Sequence, residues 1–189
     1  MTGFEIVETD KVHNGWARFS VLKIRLPGGK VIRREVEEHG RAASVLAYDP
    51  ERCVAMLVRQ FRAPVLVASG DTDILECIAG IVDEADPAAA AIREAEEEAG
   101  LSLRAVEFVA NVFSMPGLST ERMYLYLAPY RASDRTGKGG GVATEDENIT
   151  VVECPLAELA AMADGGRLTD LKTFALVQTL RLRRPDLFI

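Results

Sequence analysis

Four glutamates crowd the end of one predicted helix, in the stretch REAEEEAGL at residues 93–101. Glu94, Glu97 and Glu98 are spaced i, i+3 and i+4, so at about 100° per residue they share one side of the helix, whereas Glu96 points elsewhere. Like charges at this spacing repel each other by roughly 0.2–0.5 kcal/mol per pair, and the negative end of the helix dipole adds to the penalty. A divalent cation would reverse this penalty.

The chemistry open to this cluster follows from its oxygen ligands. Carboxylates without a neighbouring histidine or cysteine favour the hard cations magnesium and manganese over zinc. A solvated acidic face is the alternative interpretation, because most runs of like charge on a helix simply face water. The spacing and the position at the helix end favour a site for magnesium or manganese.

The helix that carries the glutamates has recognisable ends. Asp86 can accept an amide hydrogen bond as N-cap, and Pro87 lacks only an amide that would be unpaired in the first turn. Gly100 ends the helix, because glycine readily adopts the left-handed conformation of a C-terminal cap. One side of the helix forms an apolar stripe that we expect to pack inward, made of Ala88, Ala91, Ile92, Ala95 and Ala99.

The other predicted elements are strands, with two further helices near residues 155–163 and 169–184. A small three-stranded antiparallel sheet is predicted from FEIVE, WARFSVLKIRL and KVIRREVEE, with a hairpin turn at Pro27-Gly28-Gly29. A central sheet is predicted from ASVLAYD, CVAMLVRQF, VLVAS and ILECIAGIV, and further strands are predicted at AVEFVANVF, RMYLYLAPY and ITVVECP.

The composition limits the classes of protein to consider. The chain has 189 residues, 48% of them hydrophobic and 27% charged, which is typical of one globular domain, alone or with a small appended sheet. Its net charge of -7 opposes general binding to nucleic acid or to an anionic membrane. Because neither a signal peptide nor a long apolar stretch is evident, we expect a cytoplasmic protein. The widely spaced cysteines predict reduced thiols rather than disulfides or a zinc site: Cys53, Cys77 and Cys154.

The acidic helix also carries a family resemblance. Nudix hydrolases share a sequence box of the form G-x5-E-x7-R-E-U-x-E-E-x-G-U, in which U is aliphatic. The second half of the box matches Arg93, Glu94, Ala95, Glu97, Glu98, Gly100 and Leu101. The first half departs from the pattern, since the five residues after Gly80 lead to Asp86 instead of a glutamate, and only six residues separate Asp86 from Arg93. The chain therefore resembles a Nudix hydrolase whose box is one residue short.

The missing residue lies in the loop that enters the helix. It should not rotate the metal-binding carboxylates relative to one another, because they all lie downstream on the same helix. It puts in doubt the contact that the family usually makes between the first glutamate of the box and the arginine. Asp86 is either the acid of that contact or only an N-cap.

Segments outside the box resemble the sugar-nucleotide branch of the family, in particular its ADP-ribose pyrophosphatases and, more closely, its GDP-mannose hydrolase type. These segments are VIRREV, VRQFR, ECIAGIVD, SMPGLSTE and GGGVATEDENI. The resemblance implies an α/β/α sandwich around a mixed sheet, preceded by a small antiparallel sheet. It further implies an N-terminal arm at residues 1–40, a hydrolase domain at 41–189, and a homodimer that exchanges the arm.

The resemblance also implies a set of metal ligands. Carried onto this chain, they are the Ala79 carbonyl, which precedes the box glycine Gly80, and the carboxylates of Glu94, Glu98 and Glu147. Glu97 would be an additional metal ligand, or it would contact the ligands without binding the metal itself. Glu147 is the expected general base, with Glu97 or Glu98 as the alternative. The glycines at 139–141 would let the acidic loop that contains Asp146 and Glu147 close over a diphosphate.

Further residues match substrate-binding positions of the same branch. Arg62 is a candidate phosphate clamp, because a guanidinium presents a fork of donors to paired oxygens; a surface ion pair is the alternative. Arg33, Arg34 and Glu35 match a segment that reaches the substrate from the partner subunit, or else they form an exposed polar strand.

Two residues are candidates for the ends of the substrate. Trp16 could stack on a nucleobase, although core packing is the default role of a lone tryptophan. Glu121 aligns with an acid that contacts the substrate, and a charge at the start of a strand is the alternative.

These residues together predict a magnesium-dependent enzyme, with manganese as the other metal. It would hydrolyse the diphosphate of a nucleoside diphosphate sugar, of the GDP-mannose or ADP-ribose type, to a nucleoside monophosphate and a sugar 1-phosphate. One alternative is a catalytically silent nucleotide-sugar sensor. Another is a structural interaction module, which would leave the clustered carboxylates unexplained.

Overall fold

The structure, a computed structural model, describes residues 3–142 and 148–189. Its chain forms two compact units. The first unit comprises Met1–Arg41 and Phe113–Arg122, and the second comprises Ala42–Val112 and Met123–Ile189. The segment Phe113–Arg122 therefore groups with the N-terminal sheet, although nothing in its sequence indicated this.

The first unit contains the small antiparallel sheet expected from the sequence. Its strands are β1 (Glu5–Asn14), β2 (Arg18–Arg25) and β3 (Val31–Glu38), paired in that order. The turn between β2 and β3 is closed by hydrogen bonds between Leu26 and Lys30 (N to O, 2.8 Å) and between Gly29 and Leu26 (N to O, 2.8 Å). Gly29 has φ +82°, a conformation that favours glycine.

The segment Phe113–Arg122 attaches to the end of β3. The Glu37 amide donates to the Leu118 carbonyl at 2.9 Å, and the Thr120 amide donates to the Glu37 carbonyl at 3.0 Å. Among the described residues of this unit, only Glu37 and Ser119 are buried, and both are polar. This sheet therefore has no apolar core of its own.

The second unit is built around a larger mixed sheet. In the described residues, its strands are β4 (Arg41–Asp49), β5 (Val54–Gln60), β6 (Ile74–Glu76), β7 (Ile78–Ile81), β8 (Glu107–Phe113), β9 (Arg122–Pro129) and β10 (Thr150–Pro155). Its helices are α1 (Ala63–Ser69), α2 (Pro87–Ala99), α3 (Leu156–Asp164) and α4 (Leu171–Arg183). The strand order is β10-β5-β4-β9-β8, with β6 paired to β5 and β7 paired to β4.

Alternation along the central strands creates two apolar layers. On β5, Met56 and Val58 face the layer that contains α2, whereas Ala55 and Leu57 face the layer that contains α3 and α4. Successive side chains of a strand point to opposite faces, so a continuously apolar strand must be covered on both sides. The predicted α/β/α sandwich with an N-terminal antiparallel sheet is confirmed.

One predicted strand was wrong, since VLVAS lies in helix α1. The valines suggested a strand, because β-branched residues favour extended structure. Pro64 instead fits the first turn of the helix, and Gly70 closes it at φ +82° by donating its amide to the Leu66 carbonyl at 2.9 Å. No residue of α1 is buried, so the sheet does not need these valines. Within the described ranges, no helix has both the length and the apolar character that a membrane span requires.

Candidate active site

Helix α2 has the ends that the sequence predicts. Asp86 caps it by accepting a hydrogen bond from the Ala88 amide at 3.0 Å, and Gly100 ends it with φ +65°. Its inward side contains Ala90, Ala91, Ala95 and Ala99, whereas Glu96 is exposed. The helix therefore packs on the sheet by its alanines and presents three of its glutamates beside that contact.

Two of these carboxylates reach the same stretch of β7. Glu98 is only 2% exposed, and its Oε2 accepts a hydrogen bond from the Ala79 amide at 3.1 Å. The Glu94 carboxylate lies against Gly80, where any side chain at position 80 would overlap it. The small size of Gly80 thus leaves the space that the Glu94 carboxylate occupies, and Glu94 and Glu98 converge on the segment Ala79–Gly80.

Arg93 compensates much of the negative charge on this helix. Its Nη1 lies 2.6 Å from Glu97 Oε2 and 2.9 Å from Glu94 Oε1. Its Nε donates to Glu84 Oε1 at 2.7 Å, and its Nη2 to the Ile81 carbonyl at 3.2 Å. The carboxylates outweigh the effect of burial and raise the pKa of Arg93. One arginine therefore offsets the repulsion that the spacing of the glutamates creates.

Glu84 makes the acid–arginine contact that the shortened box put in doubt. Asp86, the residue in register with the box, acts at the N-cap. Glu84 pairs instead with Arg93, whose hydrogen bond lowers the pKa of the Glu84 carboxyl. Glu84 was not predicted from the sequence, although an acid only four positions after Gly80 was the available signal.

The glycine-rich segment after Thr136 caps the end of α2. The amides of Gly140 and Gly141 donate to the carbonyls of Glu98 and Glu97, at 2.8 and 3.1 Å. At Gly139, which has φ +66°, a Cβ would overlap the backbone of Glu98 and Ala99. These contacts satisfy carbonyls that a helix end leaves unpaired, so the glycines anchor this segment to the acidic helix.

The donor set of this site fits a hard divalent cation. The Glu94 and Glu98 carboxylates and the Ala79 carbonyl are oxygen atoms that could hold such a cation on one side of α2, and Arg93 contacts the carboxylates of both Glu94 and Glu97. Residues 3–142 and 148–189 contain no group of three His, Cys, Asp or Glu side chains arranged to hold a metal. The other predicted ligand and base, Glu147, and the neighbouring Asp146 lie outside the described residues.

Arg62 is held by an acid that the sequence analysis did not single out. Its Nε and Nη2 donate to the two oxygens of Glu76 at 2.8 and 3.1 Å. Glu76 is 3% exposed, whereas the Arg62 side chain is 41% exposed, so the pair joins a buried acid to a partly exposed arginine. Burial would raise the pKa of Glu76, but Arg62 and Lys172 outweigh it and keep that pKa below its usual value.

The candidate substrate residues of the first unit lie on its sheet and turns. Arg33, Arg34 and Glu35 are exposed on β3, opposite Lys23, Leu22 and Val21 of β2. Because successive residues of a strand alternate, Arg34 lies on one face of the sheet and the other two lie on the opposite face.

Trp16 and Glu121 meet at a histidine that the sequence analysis missed. Trp16 is 77% exposed, so it does not pack in a core, and its ring stacks on His39 with centroids 4.9 Å apart. His39 Nε2 lies 2.9 Å from Glu121 Oε1, and its Nδ1 contacts Glu37. Burial would lower the pKa of His39, but hydrogen bonds to both carboxylates raise it above its ordinary value.

Three features together are typical of one protein family: the α/β/α sandwich, the glutamates of helix α2, and the glycine Gly80 beside the Glu94 carboxylate. A family model described as NUDIX domain matches residues 38–176, and the chain belongs to the Nudix family. Curated relatives match most of its length. The GDP-mannose pyrophosphatase of Pectobacterium atrosepticum is 36% identical over 184 residues, which cover 95% of this chain and 94% of the relative. The GDP-mannose pyrophosphatase of Cronobacter sakazakii is 39% identical over 159 residues, which cover 82% of each chain.

Solved structures share the fold. A crystal structure described as an ADP compounds hydrolase matches with a TM-score of 0.78, covering 97% of this chain and 95% of the other. The two sequences are 15% identical, so this likeness shows the fold alone. Nudix hydrolases generally use a divalent metal, which agrees with the oxygen ligands beside Ala79.

Proposed function

We propose that this Nudix hydrolase cleaves the diphosphate of a nucleoside diphosphate sugar, of the GDP-mannose or ADP-ribose type, with magnesium or manganese as its metal. The products are a nucleoside monophosphate and a sugar 1-phosphate. The observation that carries the choice of substrate is the 36% identity to a GDP-mannose pyrophosphatase over 95% of this chain. The carboxylates of α2 beside Ala79 and Gly80 support the hydrolytic role.

The metal site of the proposal is formed by Glu94, Glu98 and the Ala79 carbonyl, completed by Glu147. A cation bound there neutralises the diphosphate and lowers the pKa of a coordinated water. Gly80 makes room for the Glu94 carboxylate, and the Ala79 amide orients Glu98. Arg93 binds the Glu97 carboxylate and also contacts that of Glu94, so its positive charge reduces the repulsion within the site.

Other residues act as the general base and bind the diphosphate in this proposal. Glu147 accepts the proton of the attacking water, because carboxylates that bind a cation have their lone pairs already engaged. Glu97 and Glu98 are the alternative bases, and Asp146 lies beside Glu147 in the same loop. Arg62 binds the diphosphate through the part of its guanidinium that faces away from Glu76.

The first unit supplies the contacts to base and sugar in this proposal. Trp16 stacks on the nucleobase with the face that His39 leaves open, and Glu121 contacts the substrate. Arg33, Arg34 and Glu35 reach the substrate of a partner subunit.

A homodimer with exchanged N-terminal arms is part of the proposal. A three-stranded sheet needs an apolar face to bury, and the first unit has no apolar core among its described residues. It instead exposes apolar side chains that a second copy would cover: Phe4, Ile6, Val12 and Val31. The proposed enzyme acts in the cytoplasm, where its three free cysteines stay reduced.

The deciding experiment is a hydrolysis panel with GDP-mannose, ADP-ribose and a nucleoside triphosphate, each with and without magnesium. We expect the nucleotide sugars to yield phosphomonoesters only when metal is present, and Glu98→Gln to lose this release. A protein that binds GDP-mannose but releases nothing would be a sensor. Preference for the triphosphate would contradict the proposed substrate class.

A further inference from the structure

Lys172 is a buried charge that the proposed reaction leaves without a role. It lies in the first turn of α4, and its side chain is 9% exposed. Its Nζ contacts Glu76 Oε2 and lies 3.0 Å from Asp170 Oδ1. Burial would lower the pKa of this ammonium, but the two carboxylates outweigh burial and raise it. The lysine is therefore charged and fixed.

Glu76 joins this lysine to the candidate phosphate clamp. One Glu76 carboxylate receives hydrogen bonds from Arg62 on both of its oxygens and from Lys172 on Oε2. Two cations and two anions, with Asp170 as the fourth member, balance each other in this row, in which Glu76 and Lys172 are buried and Arg62 is partly exposed. Removing one partner of such a group leaves an uncompensated charge in the interior, which is strongly unfavourable.

Backbone hydrogen bonds hold together the two segments that carry these acids. Asp170 caps α4 by accepting from the Thr173 amide at 2.9 Å, and Thr173 Oγ1 accepts from the Cys77 amide at 2.6 Å. Cys77 directly follows Glu76, so the helix start and the end of β6 are fastened together. This attachment fixes the backbone at Glu76, whereas the direction of its carboxylate depends on the side-chain contacts with Arg62 and Lys172.

The orientation of Arg62 follows from that of Glu76. The pair uses Nε and Nη2 of the guanidinium, and in the described part of the chain Nη1 forms no hydrogen bond. The side chain is 41% exposed, so solvent reaches it, and we take the edge that carries Nη1 as the one open to an anion. A planar guanidinium held along one edge offers its other edge in a fixed direction.

We propose that Lys172 is a positioning residue, which fixes Glu76 and through it the edge of Arg62 that binds the diphosphate. The inference rests on the proposed function of Arg62. Without the ammonium, Glu76 is balanced by Arg62 alone and is free to turn with it. The guanidinium is then less well aimed at the diphosphate, so substrate binding weakens while the chemical step is largely preserved.

The test compares Lys172→Met with the unaltered protein in two measurements. The first is the KM and kcat for GDP-mannose with magnesium. The second is the calorimetric affinity for methylenediphosphonate, a diphosphate analogue that cannot be hydrolysed, with magnesium. We expect Lys172→Met to raise KM and weaken binding of the analogue about tenfold, with kcat changed less than about threefold, because a lost ground-state contact appears in KM. An unchanged KM and affinity would overturn the proposal.

Arg181→Met is the matched control. Arg181 also lies on α4 and pairs with one acid, Asp164, at 2.7 Å, but both partners are at the surface. We expect this variant to retain the KM and analogue affinity of the unaltered protein. An equal loss of affinity in both variants would show that any ion pair of α4 matters in the same way, which would overturn the proposal.

A double variant separates positioning from a general effect on structure. If Lys172 acts through Arg62, adding Lys172→Met to Arg62→Ala weakens analogue binding no further. If the double variant instead loses affinity by the product of the two single losses, the two residues act independently and the proposal is overturned. Should Lys172→Met fail to fold, Glu76→Gln combined with Lys172→Met removes the buried charges as a pair, and the same tenfold loss is expected; full affinity in that variant would also overturn it.

The outcome for Lys172 is separable from that for the proposed function. If the unaltered protein binds methylenediphosphonate but releases nothing from GDP-mannose, the substrate proposal fails, and the analogue affinities still decide the role of Lys172. If the unaltered protein does not bind the analogue, the positioning proposal fails as well.

Discussion

Glu84 and Asp86, two positions apart in the loop before α2, act on different parts of the same helix. Asp86 satisfies the Ala88 amide at the start of the helix. Glu84 reaches Arg93, which in turn contacts Glu94 and Glu97. Asp86 therefore contributes to helix stability, and Glu84 contributes to the arrangement of charge beside the proposed metal ligands.

We expect substitutions of these two acids to separate the effects. Asp86→Ala should lower the free energy of unfolding by about 0.5–2 kcal/mol, the usual cost of losing an N-cap, with the same magnesium requirement. Glu84→Gln should raise the magnesium concentration needed for half-maximal activity by about tenfold or more, as for other residues that orient ligands. Urea unfolding measures the free energy of unfolding, and a magnesium titration of activity measures the magnesium requirement. An unchanged magnesium requirement in Glu84→Gln would contradict the role given to Glu84.

Glu147 can be tested as the general base by a change that keeps its size. Glu147→Gln cannot take a proton at neutral pH, so kcat should fall by roughly 100-fold to 10,000-fold, the usual contribution of such a base. Affinity for GDP-mannose should change much less. If the variant instead keeps its rate and loses only affinity, Glu147 binds metal or substrate, and the base lies among Glu97, Glu98 and the neighbouring loop acids.

His39 should make the stability of the protein depend on pH. Its pKa is raised from 6.5 in the folded protein, because it is hydrogen-bonded to Glu37 and Glu121 although burial opposes this. The stabilisation is therefore complete below the unfolded pKa and is lost as pH rises through the higher folded value. In urea unfolding from about pH 5 to about pH 8, His39→Gln should lose this part of the pH dependence. His13→Gln, which removes an exposed histidine of β1, is the control, and identical pH profiles for His39→Gln and the unaltered protein would rule out the effect.

At the scale of elements, the glycine segment and α2 form one structural piece. Gly139 and Gly166 have nearly the same φ, +66° and +69°, but only at Gly139 would a Cβ meet other atoms, those at the end of α2. Both alanine variants carry the cost of a left-handed residue, of about 1–2 kcal/mol. The difference between them therefore reports the contact with α2 alone.

We expect Gly139→Ala to be less stable than Gly166→Ala and to need more magnesium for activity, because the end of α2 must shift. Thermal unfolding and magnesium titration of both variants provide the comparison. Equal effects of the two substitutions would mean that the contact between Gly139 and the helix end contributes little.

The sequence was sufficient for the elements whose signals are local. Asp86, Pro87 and Gly100 mark the ends of α2 by their own backbone preferences, and the spacing of the glutamates gives their common side. It was not sufficient where a partner lies far along the chain. The pairing of Glu76 with Lys172 and of His39 with Glu121 depends on tertiary contacts. The valines of α1 predicted a strand from their local preference, but in the fold they lie on a helix with no buried residue.

At the scale of the whole molecule, the two units differ in how they are stabilised. The second unit has an apolar layer on each face of its sheet. The first buries only Glu37 and Ser119 among its described residues. Burial of apolar surface is the main favourable term in folding, so this difference supports the proposed homodimer, in which a second copy would cover the first unit.

Mixed dimers test whether arms are exchanged. Subunits with Arg34→Ala are combined with subunits with Glu98→Gln, each inactive alone under the proposal. Exchange gives each mixed dimer one site with both residues intact, so about a quarter of full activity should return after random mixing of a two-fold dimer.

The control for this experiment places both substitutions in one subunit and mixes it with the Arg34→Ala subunit, which leaves no mixed dimer with an intact site. Activity should then remain lost. A fully active monomer at the assay concentration, seen by sedimentation, would defeat the proposed exchange.

The cap on α2 also bears on the order in which the chain folds. The carbonyls of Glu97 and Glu98 find their partners in residues 140 and 141, after the strands β8 and β9 have intervened. Contacts of large sequence separation carry a closure entropy that local contacts do not, so they form late. At the acidic end of α2, Arg93 and the cap at Gly100 act against the repulsion between the like charges, but neither of them satisfies the carbonyls of Glu97 and Glu98. During synthesis, α2 can therefore form early, whereas these two carbonyls receive their partners only after the glycine-rich segment has emerged and docked.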